Sequence, residues 1–266
     1  MSPLHTSSFG AFSAISLLII VGLLVAYLSA AYVQRRAGRR WSGWRCSAFV
    51  AGAVLLAVAV APPLMDFGHH NLRGHMAQHL LIGMLAPLGL VLGAPMTLLL
   101  RTLAPAAARR VTRVLVSRPL QVLSHPVTAL LLNIGGMYVL YLTPLYAATL
   151  TSPPLHHFVH FHFLAAGYLF VWSILAGPDP APHAPGMWVR LGVLFVSMAA
   201  HATLGKLMYG FLWPRGTHHG TEEIQAAAQL MYYGGDLAEL LLVIALFAMW
   251  YRARGARPYS LRPLLA

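Results

Sequence analysis

The sequence is short of charge. Only 9% of its 266 residues are Asp, Glu, Lys or Arg, while 58% are hydrophobic. A water-soluble domain carries about a quarter charged residues. The deficit runs the whole length of the chain, which excludes an ordinary soluble domain and points to an integral membrane protein. Length therefore does not convert into a domain count, and residues 1–266 read as one polytopic, all-α bundle. Cys46 is the only cysteine, which excludes an intramolecular disulfide and any CxxC redox or metal motif. A bound metal would have to rest on His, Met, Asp or Glu. The chain also lacks a G-x-S-x-G elbow and an H-E-x-x-H motif, so hydrolytic catalysis has no sequence support and a non-enzymatic role is expected.

Long apolar runs are abundant. A span needs roughly 20 mostly apolar residues, and seven stretches qualify, at about 11–33, 47–65, 75–98, 127–148, 156–177, 188–212 and 224–251. The first has no basic residue before it and exceeds a signal core in length, so it is expected to be a retained span. The net charge of +12 does not point to nucleic acid, because it is concentrated in alternate connectors. The first connector carries Arg35, Arg36, Arg39, Arg40 and Arg45. The third carries Arg101, Arg109, Arg110, Arg113 and Arg118, and the C-terminal tail Arg252, Arg254, Arg257 and Arg262. The intervening connectors hold only Arg73 and Arg215, and Arg190 follows the fifth. The positive-inside rule then predicts an outer N-terminus and a cytoplasmic C-terminus. Within AAARRVTRVLVS, Val111, Val114 and Leu115 share one helical face among arginines. This segment reads either as an interfacial helix on an anionic leaflet or as an ordinary basic loop.

Topology turns the 14 histidines into a pattern. His69, His70, His75 and His79 fall at the outer start of the third span. His156, His157, His160 and His162 open the fifth, and His218 and His219 precede the seventh. His5 is also outer, whereas His125 and His183 fall inside. Deeper in the membrane stand His201, Asp236 and Glu239. Intramembrane ionisable residues are costly and face a bundle interior or a wet cavity. His75 and His79 are four apart, about 40° around a helix, and His156–His160 repeats the spacing, with His157–His160 as the three-apart option. Two such pairs on facing helices build metal sites in bundles. Imidazole suits Cu, Zn, Fe and Ni, and a thioether from Met76, Met198, Met208 or Met231 would favour Cu(I). Each element has a plainer reading as well. Methionine fills core gaps, His201 can be a polar helix–helix contact, and Asp236 or Glu239 can pair with Lys206, the only lysine. The loop histidines 69, 70, 218 and 219 read as solvated, and Gly74 as a break before the third helix. Inner-half polar groups are few, chiefly Asn133, Tyr138 and Tyr141.

HMAQHLLIGMLAPLGLVLGAPMTLLLR, beginning at His75, resembles the signature of the multi-spanning CtaG family of cytochrome c oxidase assembly factors. HHFVHFHFLAAGYLFVWSILAGPDPAP and AAAQLMYYGGDLAELLLVI resemble that family's histidine-rich span and its last span. The likeness covers about residues 20–252. It implies a seven-span protein of the bacterial cytoplasmic membrane that matures haem–copper oxidase, with an oxidase subunit or another assembly factor as partner alongside membrane lipid. Carried over by position, the motif covers His75, Met76, Gln78, His79, His156, His157, His160 and Asp236. Relatives carry an Asp-Gln pair entering the last span where this chain has Ala228-Gln229, so Glu222 or Glu223 would have to supply that acid. The expected metal residues are thus His75, His79, His156, His157, His160, His201 and Asp236, with copper, as Cu(I), the expected cargo. A metal transporter and a membrane haem protein, with His79 or His201 as an axial ligand, are the alternatives.

Overall fold

A computed structural model describes residues 3–179, 181 and 184–255, with side chains described from residue 12 to 254; His5, His183, Arg257 and Arg262 lie outside the described residues or side chains. Every regular element among the described residues is helical. In chain order they are α1 (Pro3–Arg36), α2 (Gly43–Val60), α3 (Pro62–His70), α4 (Leu72–Leu92), α5 (Pro95–Thr102), α6 (Pro105–Leu115), α7 (Arg118–Leu123), α8 (Pro126–Tyr141), α9 (Leu145–Thr151), α10 (Pro153–Leu175), α11 (Met187–Phe211) and α12 (Thr221–Gly255). Proline opens α3, α5, α6, α7, α8 and α10 within the first two positions, where its missing N–H and fixed φ cost nothing.

Six helices are long and apolar enough to cross a membrane, and a seventh crossing requires α8 and α9 to be counted together. The expected span at 127–148 is therefore not one straight rod. It bends by 75° between α8 and α9. Pro144 has no N–H to continue the ladder and disfavours helical backbone at Thr143. The Thr143 hydroxyl bonds back to the Val139 carbonyl at 2.5 Å and accepts from Leu145 N at 3.2 Å, closing one helix and starting the next. The third span begins three residues earlier than expected, because the Asn71 side chain caps α4 by accepting from Arg73 N at 2.9 Å. Gly74 is thus no break but part of the first turn of α4, where a Cβ would stand 2.6 Å from Phe67 Cδ1 of α3.

Large apolar side chains on the outer surfaces, among them Leu18, Phe195, Phe158 and Ile244, are exposed. That is the inverse of a soluble fold and suits a lipid surround. Inside, small residues let backbones touch. A Cβ on Gly52 of α2 would stand 2.6 Å from Leu90 N of α4, and a Cβ on Gly167 of α10 would run into the Gly83 carbonyl oxygen. That last contact clamps α4 against α10. Gly83 lies within a single π-helical turn, Leu81–Leu85, and a second such turn occupies Leu131–Gly135 of α8. Such turns widen a helix locally and concentrate at functional sites.

The interior divides along its length. One core cluster, including Leu72, Met76, Tyr141, Tyr146, Val159, Phe163 and Met231, surrounds the histidines. A second, including Leu88, Val91, Phe170, Ile174, Leu194 and Leu246, fills the arginine-rich end, beside a smaller cluster of Tyr27, Trp41, Phe49 and Leu98. We refer to these as the histidine end and the basic end. None of the residues of α6 is buried, so this amphipathic segment lies outside the packed bundle.

Candidate metal centre at the histidine end

α4 and α10 enter the bundle side by side, each starting at the histidine end. His79 and His160 stand seven residues past the first residue of their helices, ~10 Å along the axis. His75, His79, His156 and His160 are all buried. Their rings converge in part. His156 and His160 have ring centres 4.3 Å apart, as the four-residue spacing predicts, and His75 lies 6.2 Å from His156 and 6.1 Å from His160. A metal–imidazole bond of about 2.0–2.1 Å sets a ring centre roughly 3.2 Å from the ion, so three rings spread evenly around one ion stand about 5.5 Å apart. The observed triangle brackets that spacing. Among the described residues no three His, Cys, Asp or Glu side chains already form a site for one ion, so closure on a metal requires rotation of these rings. Capacity for it exists. Nδ1 of His75 and both ring nitrogens of His160 are buried without a hydrogen-bond partner.

His79 does not complete the triangle. Its ring packs edge-on against Phe163, with centres 4.5 Å apart, and its Nε2 lies 2.7 Å from Met137 Sδ of α8. Both side chains are buried. Met137 was not among the four methionines expected to help. Of those, Met76, Met208 and Met231 are core packing at the histidine end and Met198 packs against the second cluster. Tyr141, expected among the polar groups near mid-span, instead stands between the two imidazoles, 6.0 Å from His75 and 6.1 Å from His79.

The rim of the cluster is more organised than a solvated loop. His69 approaches His156 with ring centres 6.0 Å apart. His219 Nε2 lies 3.2 Å from the Tyr146 hydroxyl, and its Nδ1 lies 2.9 Å from Glu223 Oε1. The same Glu223 oxygen accepts from Leu72 N at 2.6 Å, and Tyr146 packs against His75 at 4.9 Å. Of the two acids available to stand in for the missing one, Glu223 joins this rim, while Glu222 is exposed. His157 turns the other way, its ring stacked on Phe12 of α1 at 3.5 Å. His162 faces α8, with Nε2 3.0 Å from the Leu132 carbonyl.

A second polar group sits deeper. His201 is ten residues before the end of α11, ~15 Å along the axis. Its ring occupies space that a Cβ on Gly235 of α12 would fill, and its Nδ1 lies 4.0 Å from Glu239 Oε1. The buried acid of this helix is Glu239; Asp236, the expected ligand, is only half-buried. Lys206 joins neither acid in an ion pair among the described residues, and its Nζ lies over the Tyr232 ring, 5.7 Å from the centroid. Gln78, also fully buried, ties α4 to its neighbours by donating to the Ala59 carbonyl at 2.9 Å and reaching Met65 Sδ at 3.0 Å.

The sequence model of the cytochrome c oxidase caa3 assembly factor family matches residues 25–253. An uncharacterized protein of Mycobacterium leprae is 31% identical over 252 residues, which are 88% of this chain and 38% of the relative. Uncharacterized proteins of Mycobacterium bovis and Mycobacterium tuberculosis are each 32% identical over 250 residues, 87% of this chain and 38% of theirs. The chain thus spans well under half the length of these relatives. No solved structure matches it. With the match running from the first long helix to the last, this chain belongs to the cytochrome c oxidase caa3 assembly factor family.

Proposed function

We propose that the protein is a non-catalytic, multi-pass assembly factor of the bacterial cytoplasmic membrane. In this reading its histidine end faces outward and holds Cu(I) as cargo for the copper centres of a haem–copper oxidase. The observation that carries it is the triangle of buried imidazoles formed by His75, His156 and His160. Its spacing brackets that of three rings about one ion, and His75 and His160 retain unused ring nitrogens. Imidazole with a nearby thioether is a donor set that favours Cu(I) over Mg or Ca. His79 and Met137 supply such a pair next to the triangle, and apolar walls from Phe163 and Val159 limit access by water. His69 and the Tyr146–His219–Glu223 chain guard the mouth and would meet an arriving ion first. The arginine distribution supports a cytoplasmic opposite end.

A transporter needs donors continuing toward the basic end. Beyond His201 and Glu239 the core is the apolar cluster of Leu88, Phe170, Ile174 and Leu246, which supports retention and hand-over more than passage. The test is metal analysis of anaerobically purified protein, with an optical spectrum, for the wild type and for H75A, H156A and H160A combined. Copper in the wild type, its loss in the variant and no Soret band are expected. Equal copper in both, or a haem spectrum, would overturn the reading. Copper uptake into sealed proteoliposomes would replace it with transport.

A further inference from the structure

The basic end holds a built cleft that the metal reading leaves unused. An open cavity of about 730 Å³ is lined by Arg35, Arg39, Arg40, Arg45, Arg101 and Trp41. Four of the arginines come from the basic connector between α1 and α2, and the fold brings Arg101 of α5 to join them. The floor of the cleft is fixed. Trp41 is buried and donates through Nε1 to the Tyr27 hydroxyl at 3.4 Å, which in turn donates to the Gly93 carbonyl at 2.7 Å. Gln34, also buried, donates to the Arg101 carbonyl at 3.0 Å and accepts from Arg39 Nη1 at 3.3 Å. The guanidinium groups of Arg45 and Arg101 lie over the Trp41 ring, 5.0 and 5.6 Å from its centre. Arg35 Nε donates to the Trp41 carbonyl at 3.2 Å.

What the arginines lack is a carboxylate. The chain has only six acidic residues, and Asp179 is the one that packs at this end. Its oxygens are already taken by Met96 N at 2.9 Å and by the amide and hydroxyl of Thr97, each at 2.6 Å. None of the ion pairs among the described residues involves arginine. Five cations therefore converge on one cleft held by neutral acceptors, with their remaining N–H forks free for an anion. Arginine forks match phosphate oxygens in pairs, and basic pockets between membrane helices take lipid headgroups. The cleft also opens beside lipid-facing surface, since Tyr32 and Val33 of α1 and Trp44 of α2 are exposed at its level. Exposed tryptophan at this depth is the usual mark of the headgroup region.

We propose that this cleft is a binding site for the phosphate headgroup of an anionic phospholipid, seated by Arg39, Arg40, Arg45 and Arg101 with its acyl chains along α1 and α2. The shared chemistry is a phosphate anion; the lipid-facing flank selects the lipid over free phosphate. The test uses the full chain in a neutral detergent, titrated with phosphatidylglycerol, phosphatidylcholine or inorganic phosphate and read by native mass spectrometry. Phosphatidylglycerol binding at least tenfold tighter than phosphatidylcholine is expected, with inorganic phosphate unable to compete at equal concentration. At ~1 kcal/mol per arginine near a membrane surface, R39Q/R40Q/R101Q is expected to weaken phosphatidylglycerol roughly 100-fold. The variant R109Q/R110Q/R113Q removes the same charge from α6 and should change the cleft affinity by less than a factor of about three. If R39Q/R40Q/R101Q fails to fold, R40Q/R45Q leaves the Gln34–Arg101 floor intact and is expected to weaken binding by about 30-fold. Equal weakening by the cleft and α6 variants would show only bulk charge and overturn the site. Equal binding of phosphatidylcholine would overturn headgroup selection, and full competition by inorganic phosphate would overturn the lipid as its source.

Discussion

The two ends of this bundle hold their ionisable groups in opposite ways. At the basic end most of them are already bonded or face water. Asp179 caps the start of α5 through three hydrogen bonds, Arg190 closes the end of α10 on the carbonyls of Ile174 and Leu175 at 3.0 and 3.1 Å, and Arg35, Arg39, Arg40 and Arg101 of the cleft are exposed, with Arg45 half-buried. At the histidine end and just below it, His160, His201, Tyr141 and Glu239 keep buried polar atoms with no hydrogen-bond partner. Each such atom costs about 1–3 kcal/mol. Stability alone would place apolar side chains there. The proposed metal site would account for the retention of these groups, whereas at the basic end most polar groups are bonded or exposed, Arg190 Nε being an exception.

That contrast can be broken in several ways. The largest expected effect is at the triangle. H156A/H160A is expected to weaken Cu(I) binding by well over the roughly 100-fold typical of losing a supporting partner, measured by anaerobic competition with a chromophoric chelator; a change below tenfold would remove these histidines from the site. Next comes the clamp between the helices. In Gly167→Ala the new methyl meets the Gly83 carbonyl, so α4 and α10 must part. A loss of about 1–3 kcal/mol in stability, seen as a lower Tm in detergent, is expected together with weaker copper binding. A lower Tm with unchanged affinity would show that the two histidine-bearing helices need not touch. Met137→Leu keeps the volume and removes the sulfur, so stability should change by less than about 1.5 kcal/mol while Cu(I) affinity falls about tenfold.

The smallest effects bound the comparison. Tyr146→Phe deletes one hydroxyl from the rim and, at about 1 kcal/mol for a hydrogen bond, is expected to slow copper capture or weaken it by about fivefold. At the other end, Asp179→Ala should cost about 0.5–2 kcal/mol, as loss of a helix cap does, and leave copper affinity unchanged. An effect of Asp179→Ala on copper would show that the ends are coupled and that the division drawn above is wrong.

The sequence made some of this readable and hid the rest for a definable reason. Apolar length located the spans, and the four-residue spacing of His156 and His160 correctly gave two rings on one face, because both features are local. Local pattern fixes which side of a helix a residue occupies but not how that helix is turned toward its neighbours. His75 and His79 share a face, yet His75 meets the imidazoles of α10 while the ring nitrogen of His79 meets Met137 of α8. Nothing near Met137 marks it, and only the docking of α8 on α4 brings its sulfur to the imidazole. His219 reads as a loop residue because its partner Tyr146 is more than seventy positions away. The bend between α8 and α9 did have a signal, Thr143-Pro144, which the apolar composition on both sides outweighed. Asp236 and Glu239 were equivalent in sequence, and the rotation of α12 against His201 separates them.

The central claim is that imidazoles from α4 and α10 surround one copper ion. Copper X-ray absorption on the Cu(I)-loaded full chain tests it most directly. The account predicts a nearest-neighbour shell dominated by two or three nitrogens with the outer scattering pattern of imidazole, and the loss of that pattern in H75A/H156A/H160A. Identical spectra for wild type and variant, or a shell without imidazole, would contradict it.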